Sequence, residues 1–364
     1  MTVWTSASVA ESARLSVRLG CRSWRRFSGF KRRLPVDRTP QSFDSLTSLR
    51  LHLTLIASLS PVALFACLSG GWYVAFVIVS TMSIAWLADA VFRFWGPRRE
   101  PEDSSALLWG LTLALVMPPL VPFWIPWAGI LFSILAKGLL GGSGASWLNP
   151  ALTAWAFCQA GWPAAMRPAV SLSGASDSQI TSMLATRSSL DQGATDWLNG
   201  NIFSWLNLQV PAGYVDLVTG VGLQSHSWNA EAGTFFLLAA TVFLLVRGTI
   251  PWQIPLFFFL GFAVPVGIFG GLPAGQGLFS GDVLFQIFSG TFLLGIFFLA
   301  TDTSSRPLSS RGLTLYALGA GVLAFVLRTW GVHVEGVGYA ILFMNFLVPW
   351  MDLVLRKKVL NDLR

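Results

Sequence analysis

The chain has 364 residues, 54% of them hydrophobic and only 11% charged. Soluble domains carry about 25% charged residues, so this chain cannot cover a water-facing surface; the solvent left for its apolar faces is lipid, or partner helices in lipid. The net charge of +7 does not mark a nucleic-acid binder, because the basic residues flank apolar stretches instead of forming a footprint.

Residues 1–49 read as a basic cytoplasmic segment: ten of the 24 Lys and Arg lie at or before Arg50. They include no apolar h-region, so they are not a secretory signal. The stretch from Ala7 to Phe30 fits either a basic amphipathic helix on an anionic membrane surface or a solvated tail. Beyond it, at roughly 20 residues per crossing, apolar runs predict ten spans: 50–68, 72–94, 105–119, 122–140, 149–164, 231–248, 252–270, 283–301, 312–329 and 336–355. The expected fold is an all-α polytopic membrane protein. Its regions are spans 1–5 over 50–164, a hydrophilic loop over 165–230, spans 6–10 over 231–355, and a tail over 356–364.

The third and fifth spans are short, one ended by Pro118-Pro119 and the other opened by Pro150. Such breaks at membrane depth persist only where protein or a cavity satisfies the freed backbone, and they often mark a site. Ordinary kinked helices are the alternative. Placing both termini in the cytoplasm puts 21 Lys and Arg inside and three (Arg167, Arg187, Arg328) outside. Deleting one span would spoil that asymmetry, so the count supports an even number of crossings in the cell's inner membrane. Loop 165–230 then faces outward, and loops of that length are often functional. Ten spans are compatible with a five-plus-five inverted repeat.

Cys21, Cys67 and Cys158 are far apart, and so are His52, His226 and His333. No metal site is expected from this chain alone, and an iron–sulfur cluster would need about four thiolates. Asn149-Pro150 fits an N-cap with proline at the first helical position; the same helix start, facing a cavity, fits a bound ion. Asp302, which follows the eighth span, reads as a functional carboxylate or as a cap of the next helix. Asp89, in the second span, reads as an ion-path residue or a hydrogen-bonded packing residue.

Four stretches, in order, carry a family resemblance. The first is Asp103 through Pro118-Pro119, Lys137 and Gly141-Gly-Ser-Gly-Ala-Ser-Trp-Leu-Asn-Pro-Ala151. The second is Val246-Arg-Gly-Thr-Ile-Pro-Trp-Gln-Ile-Pro255. The third runs from Phe288-Ser-Gly through Phe297-Phe-Leu-Ala-Thr-Asp302, with Ser304, Pro307 and Arg311-Gly312. The fourth is Arg328-Thr-Trp-Gly331, Glu335-Gly, Asn345, Pro349 and Asp352. Together they resemble the RnfD/NqrB family, which unites a membrane component of Rnf electron-transport complexes with one of the sodium-pumping NADH:quinone oxidoreductase. The length is nearer the Rnf type.

The resemblance implies FMN, joined by a phosphoester to a hydroxyl in an S-G-A-T motif of the outer loop. Here the matching residues are Ser173, Gly174, Ala175 and Ser176, with Ser176 as the attachment point. It also implies a second flavin, of the riboflavin type, whose ribityl chain would fit the helix start at Asn149, with Asp302 as a further cofactor-binding candidate, and partner subunits both in and on the membrane. The sequence departs from the family at four places. Val170 stands where an acidic residue is usual, and Ser176 replaces Thr. Ala230-Glu231-Ala232-Gly233 replaces G-E-T-S, and Trp109 stands where a smaller Thr is expected. Ser143-Gly144-Ala145-Ser146 repeats the tetrapeptide elsewhere. The expected function is that of a membrane subunit of an ion-translocating electron-transport complex, passing electrons by flavin between donor-linked partners and a quinone or other acceptor. It is a complex subunit rather than an enzyme alone, and no catalytic side-chain triad is proposed. The alternatives are a flavin-free membrane anchor of such a complex and a ten-span transporter or channel.

Overall fold

The computed structural model describes residues 45–95, 105–140, 148–166, 196–197, 199–201, 228–272, 277–279, 281–331 and 335–362. Residues 1–44, and with them the Ala7–Phe30 reading, lie outside the described residues. Every element described in the unit Ser45–Arg364 is helical.

Helix α1, Ser45–Trp95, has 51 residues. Unbroken, it would be roughly 77 Å long, more than twice a bilayer's ~30 Å hydrocarbon core. It is kinked at Gly71, whose φ of 75° and ψ of −170° leave the helical region, so the predicted spans 50–68 and 72–94 fall on its two arms. Pro61 cannot donate to the Ala57 carbonyl; the Ser60 hydroxyl donates to it instead, at 2.8 Å.

Helix α2, Ser105–Val116, is apolar on every side and buried along nearly its whole length, as a helix without a polar face must be. Twelve residues reach only about 18 Å. Pro118 and Pro119 follow, and residues before proline avoid the helical region. The carbonyls left open are met from far along the chain. Asn229 N–H donates to Met117 O at 3.2 Å, Ala230 N–H to Leu115 O at 3.0 Å, and the Asn229 side-chain amide to Ala114 O at 2.9 Å.

The remaining elements are α3 (Trp124–Leu140), α4 (Pro150–Gly161), a 3₁₀ turn (Glu231–Gly233) leading into α5 (Thr234–Val246), α6 (Gln253–Phe269), α7 (Val283–Phe288), α8 (Phe292–Leu294) running into a π-helical turn (Gly295–Leu299), α9 (Ser310–Trp330) and α10 (Gly336–Asp362). The span expected over 283–301 is therefore not one helix. It breaks at Ser289, Gly290 and Thr291.

Three stretches, Leu49–Phe92, Ser310–Trp330 and Gly336–Leu355, are long and apolar enough to cross a membrane; Ser105–Val116, Trp124–Lys137, Glu231–Val246 and Gln253–Phe269 are apolar but shorter. Large apolar side chains such as Leu64, Leu68, Trp72, Val246 and Phe346 are exposed, which water would penalise and lipid does not.

Small residues set the closest helix contacts, as in other membrane bundles. Gly261 of α6 faces the Leu318 carbonyl of α9, and Gly321 of α9 faces the Phe258 carbonyl of α6. Trp155 of α4 lies on Gly338 of α10, its ring 4.8 Å from that of Tyr339. Gly233 lies on Val62, and Phe65 of α1 meets Phe236 of α5 at 5.5 Å.

Polar and ring contacts sort the helix ends into two groups. At one end, Asn149 bonds Leu299, Gln253 bonds Ser310, Leu308 bonds Asp352, and Lys137 meets Trp109. At the other, Tyr73 bonds Val121, Trp124 meets Trp162, Asn229 bonds Ala114 and Met117, and Arg328 bonds Ser289.

Candidate functional site

Ser173, Gly174, Ala175 and Ser176, together with Val170, lie outside the described residues. The other two predicted residues, Asn149 and Asp302, come together: both line one cavity, with His52, Trp109, Thr112, Thr301 and several apolar side chains. They stand far apart in the sequence, so only the fold brings them together.

Asn149 is the N-cap of α4. Its Oδ1 accepts from the amides of Ala151 and Leu152 at 2.9 and 3.3 Å, and Pro150 follows at the first position. Its Nδ2 donates to Leu299 O at 3.2 Å, at the end of the π-helical turn. Both halves of the amide are thus committed to holding two broken segments together. Asp302 accepts from the Ser304 hydroxyl at 2.9 Å and from the Ser304 amide at 3.4 Å. The next helix, α9, is capped by Ser309, which accepts from Gly312 N–H at 3.1 Å. Asp302 therefore closes its own turn and does not cap α9. Burial pushes its carboxyl above the usual carboxylate range, against the Ser304 bonds and the positive charge of His52 and Arg306. Asp89 is also buried.

A second polar centre lies at the opposite end, around the break in the 283–301 segment. Gly290 has φ 74°, a region L-residues avoid. A Cβ there would run into Glu335 Oε1 and come within 3.2 Å of the Arg328 guanidinium. The break exposes backbone donors and acceptors, and charged side chains from three other segments meet them. Gly290 N–H donates to Glu231 Oε1. Thr291 donates to Glu335 twice, from its amide at 3.1 Å and its hydroxyl at 3.0 Å. Arg328 donates to Gln286 O at 2.8 Å, and to Ser289 O and Ser289 Oγ at 2.9 Å each. All three charged residues are buried: Glu335 is 0% exposed, Arg328 2% and Glu231 7%.

The signs follow the helix dipole. The carbonyl end of α7 receives the cation, and the amide end of α8 receives the two carboxylates. Sequence reading placed Glu231 and Glu335 only among motifs of the resemblance, and Arg328 there and among the outer charges. The signal it passed over was ionisable residues beside apolar spans, which are rarely idle.

Two cofactor expectations meet the structure differently. The FMN site lies outside the described residues; in its favour stands the chemistry of Ser176, a hydroxyl among small neighbours. The second flavin has a candidate place beside Asn149 and Asp302. The cavity there is about 30 Å³, enough for a water or two and roughly a tenth of the smallest usual ligand pocket. The residues present do not fit an isoalloxazine. Among the described residues, no cluster of three or more His, Cys, Asp or Glu is placed to hold a metal.

The family model for the NQR2, RnfD, RnfE family matches residues 36–361. The chain is 32% identical over 332 residues to the D subunit of the ion-translocating oxidoreductase complex of Stutzerimonas stutzeri, covering 86% of this chain and 92% of that one. It is 29% identical over 314 residues to the D subunit of the Na⁺-translocating ferredoxin:NAD⁺ oxidoreductase complex of Acetobacterium woodii, covering 86% and 90%. The proton-translocating counterpart of Clostridium ljungdahlii is 30% identical over 318 residues, covering 83% and 88%. A match over nearly the whole described unit, on relatives covered along most of their length, makes this chain a member of the NQR2, RnfD, RnfE family.

Proposed function

We propose that this chain is the D-type membrane component of an ion-translocating electron-transport complex, and that it carries FMN covalently at Ser176 on the outer face of the cell's inner membrane. The observation that carries the first part is the near full-length match to proteins of that kind. The second rests on Ser173-Gly174-Ala175-Ser176 within the outer loop. FMN supplies electron carriage when bound. The chain's own part is to offer the Ser176 hydroxyl and keep its neighbours small. Electrons come from, and pass to, other subunits in and on the same membrane.

The topology of this reading is ten crossings with both termini in the cytoplasm. The sorting of contacts into two ends supports it: residues 52, 149, 253, 302, 310 and 352 fall at the end read as cytoplasmic, and residues 73, 121, 162, 229, 290 and 328 at the other. A five-plus-five inverted repeat is supported by matched breaks. The third span of each half is broken, a basic residue ends each fourth span (Lys137, Arg328), and each reaches toward the third span of its own half.

The test is flavin fluorescence of the denatured band in a gel, from cells that hold the flavin transferase. The expected result is a fluorescent band at the mass of this chain, lost in Ser176→Ala. A dark band refutes covalent attachment and leaves a flavin-free anchor of the complex.

A further inference from the structure

The family's second flavin and the cavity beside Asn149 disagree, and the residue responsible is Trp109. We infer that the Trp109 indole closes this cavity to flavin, so that Trp109 sets the cofactor content at the Asn149 end of this chain. The indole is 6% exposed and lines the cavity from α2. The Lys137 ammonium sits 4.2 Å from its centroid, a cation–π contact. That contact holds the ring in place. The space left over is about 30 Å³, an order of magnitude below what a bound ring system takes.

Three of the polar side chains lining the cavity are bonded to the chain's own backbone. A ribityl chain needs donors and acceptors free to meet its hydroxyls. Asn149 spends its oxygen on Ala151 and Leu152 and its nitrogen on Leu299. The Thr112 hydroxyl donates to Leu108 O at 2.8 Å, and the Thr301 hydroxyl to Phe297 O at 2.6 Å. These donors are turned back into their own helices. Bulk and a pinned indole both exclude the ring system, and both come from Trp109.

Riboflavin is titrated into the purified full-length chain in detergent, and quenching of flavin fluorescence is read, for the wild type, Trp109→Phe and Trp109→Ala. The wild type and Trp109→Phe are expected to show no saturable quenching. Trp109→Ala, without the ring, is expected to take up riboflavin saturably, about tenfold or more above partition into micelles alone. Trp109→Thr replaces the alanine variant if the latter does not elute as the wild type does. A saturable wild-type signal abolished by Thr112→Trp overturns the inference. So does a well-eluting Trp109→Ala that stays unable to bind. Covalent flavin at Ser176 is read on denaturing gels and freely bound flavin by titration, so failure of either proposal leaves the other standing.

Discussion

Replacing Arg328 by Met removes the cation that, among the described residues, meets the same helix break as Glu231 and Glu335. The guanidinium makes three hydrogen bonds, to Gln286 O, Ser289 O and Ser289 Oγ, at 2.8–2.9 Å. At 2% exposure, neither the freed carbonyls nor the carboxylates can turn to water. Removing one partner from a buried charged group costs about 3–5 kcal/mol. For a chain of this length about 2 °C accompanies each kcal/mol, so the melting temperature should fall by about 6–10 °C. Glu335→Gln should cost far less, because its oxygen still accepts from Thr291 and Arg328 still faces Glu231. If the penalty in Arg328→Met is largely unbalanced negative charge, Glu335→Gln added to it should recover about 1–2 kcal/mol, a coupling usual for groups in contact. The assay is thermal unfolding of the full-length chain in detergent, followed with a thiol-reactive dye reporting the fully buried Cys158, in a background carrying Cys21→Ser and Cys67→Ser. An Arg328→Met melt within about 2 °C of wild type, or a double variant that loses the sum of the two singles, refutes the electrostatic account.

Two further predictions follow from the same geometry. Gly290→Ala meets both a positive φ and the Glu335 carboxylate, and should destabilise by about 1–3 kcal/mol; a melt unchanged from wild type would show that the break does not require glycine. Asp302 binds its proton more tightly when folded. The stability this adds is complete below the ordinary carboxylate pKa, near ~3.9, and is lost as pH rises through the raised value. The wild-type melting temperature should therefore decline across that window more steeply than that of Asp302→Asn, and parallel profiles would contradict it.

The parts of the fold that were legible in the sequence are those with local causes. Gly70-Gly71 separates two apolar runs, and the kink is at Gly71. Pro118-Pro119 follows the end of α2, and Asn149-Pro150 starts α4 with the amide cap its sequence suggests. What stayed hidden depends on partners far away in the chain. The 283–301 segment is apolar enough to pass as one helix. Its break is held by carboxylates 59 and 44 residues away, and no local window contains them. Asn229, which closes the end of α2 from 115 residues away, gave no signal of its own. Of the candidate site, Asn149 and Asp302 were named from local chemistry, but that they share a cavity, and that Trp109 fills it, needed the fold.

Helix breaks in a membrane protein pose a choice between carrier and scaffold. In a carrier with discontinuous helices, the open helix ends face the solute: amides toward an anion, carbonyls toward a cation. Here the amides of Gly290 and Thr291 face Glu231 and Glu335, and the carbonyls of Gln286 and Ser289 face Arg328. The carbonyls that end α2 face Asn229 and Ala230, and the carbonyl that ends the π-helical turn faces Asn149. At each of these ends, the position a passing solute would take is held by a residue of the chain itself. Moving a solute through would mean displacing buried, hydrogen-bonded charges at about 3–5 kcal/mol for each one stripped of its partner. A rigid frame has the opposite need, since electron transfer depends on distances that do not change. Breaks closed by the chain's own side chains meet that need, and they favour a subunit that fixes its redox group in space over one that opens and closes around a cargo.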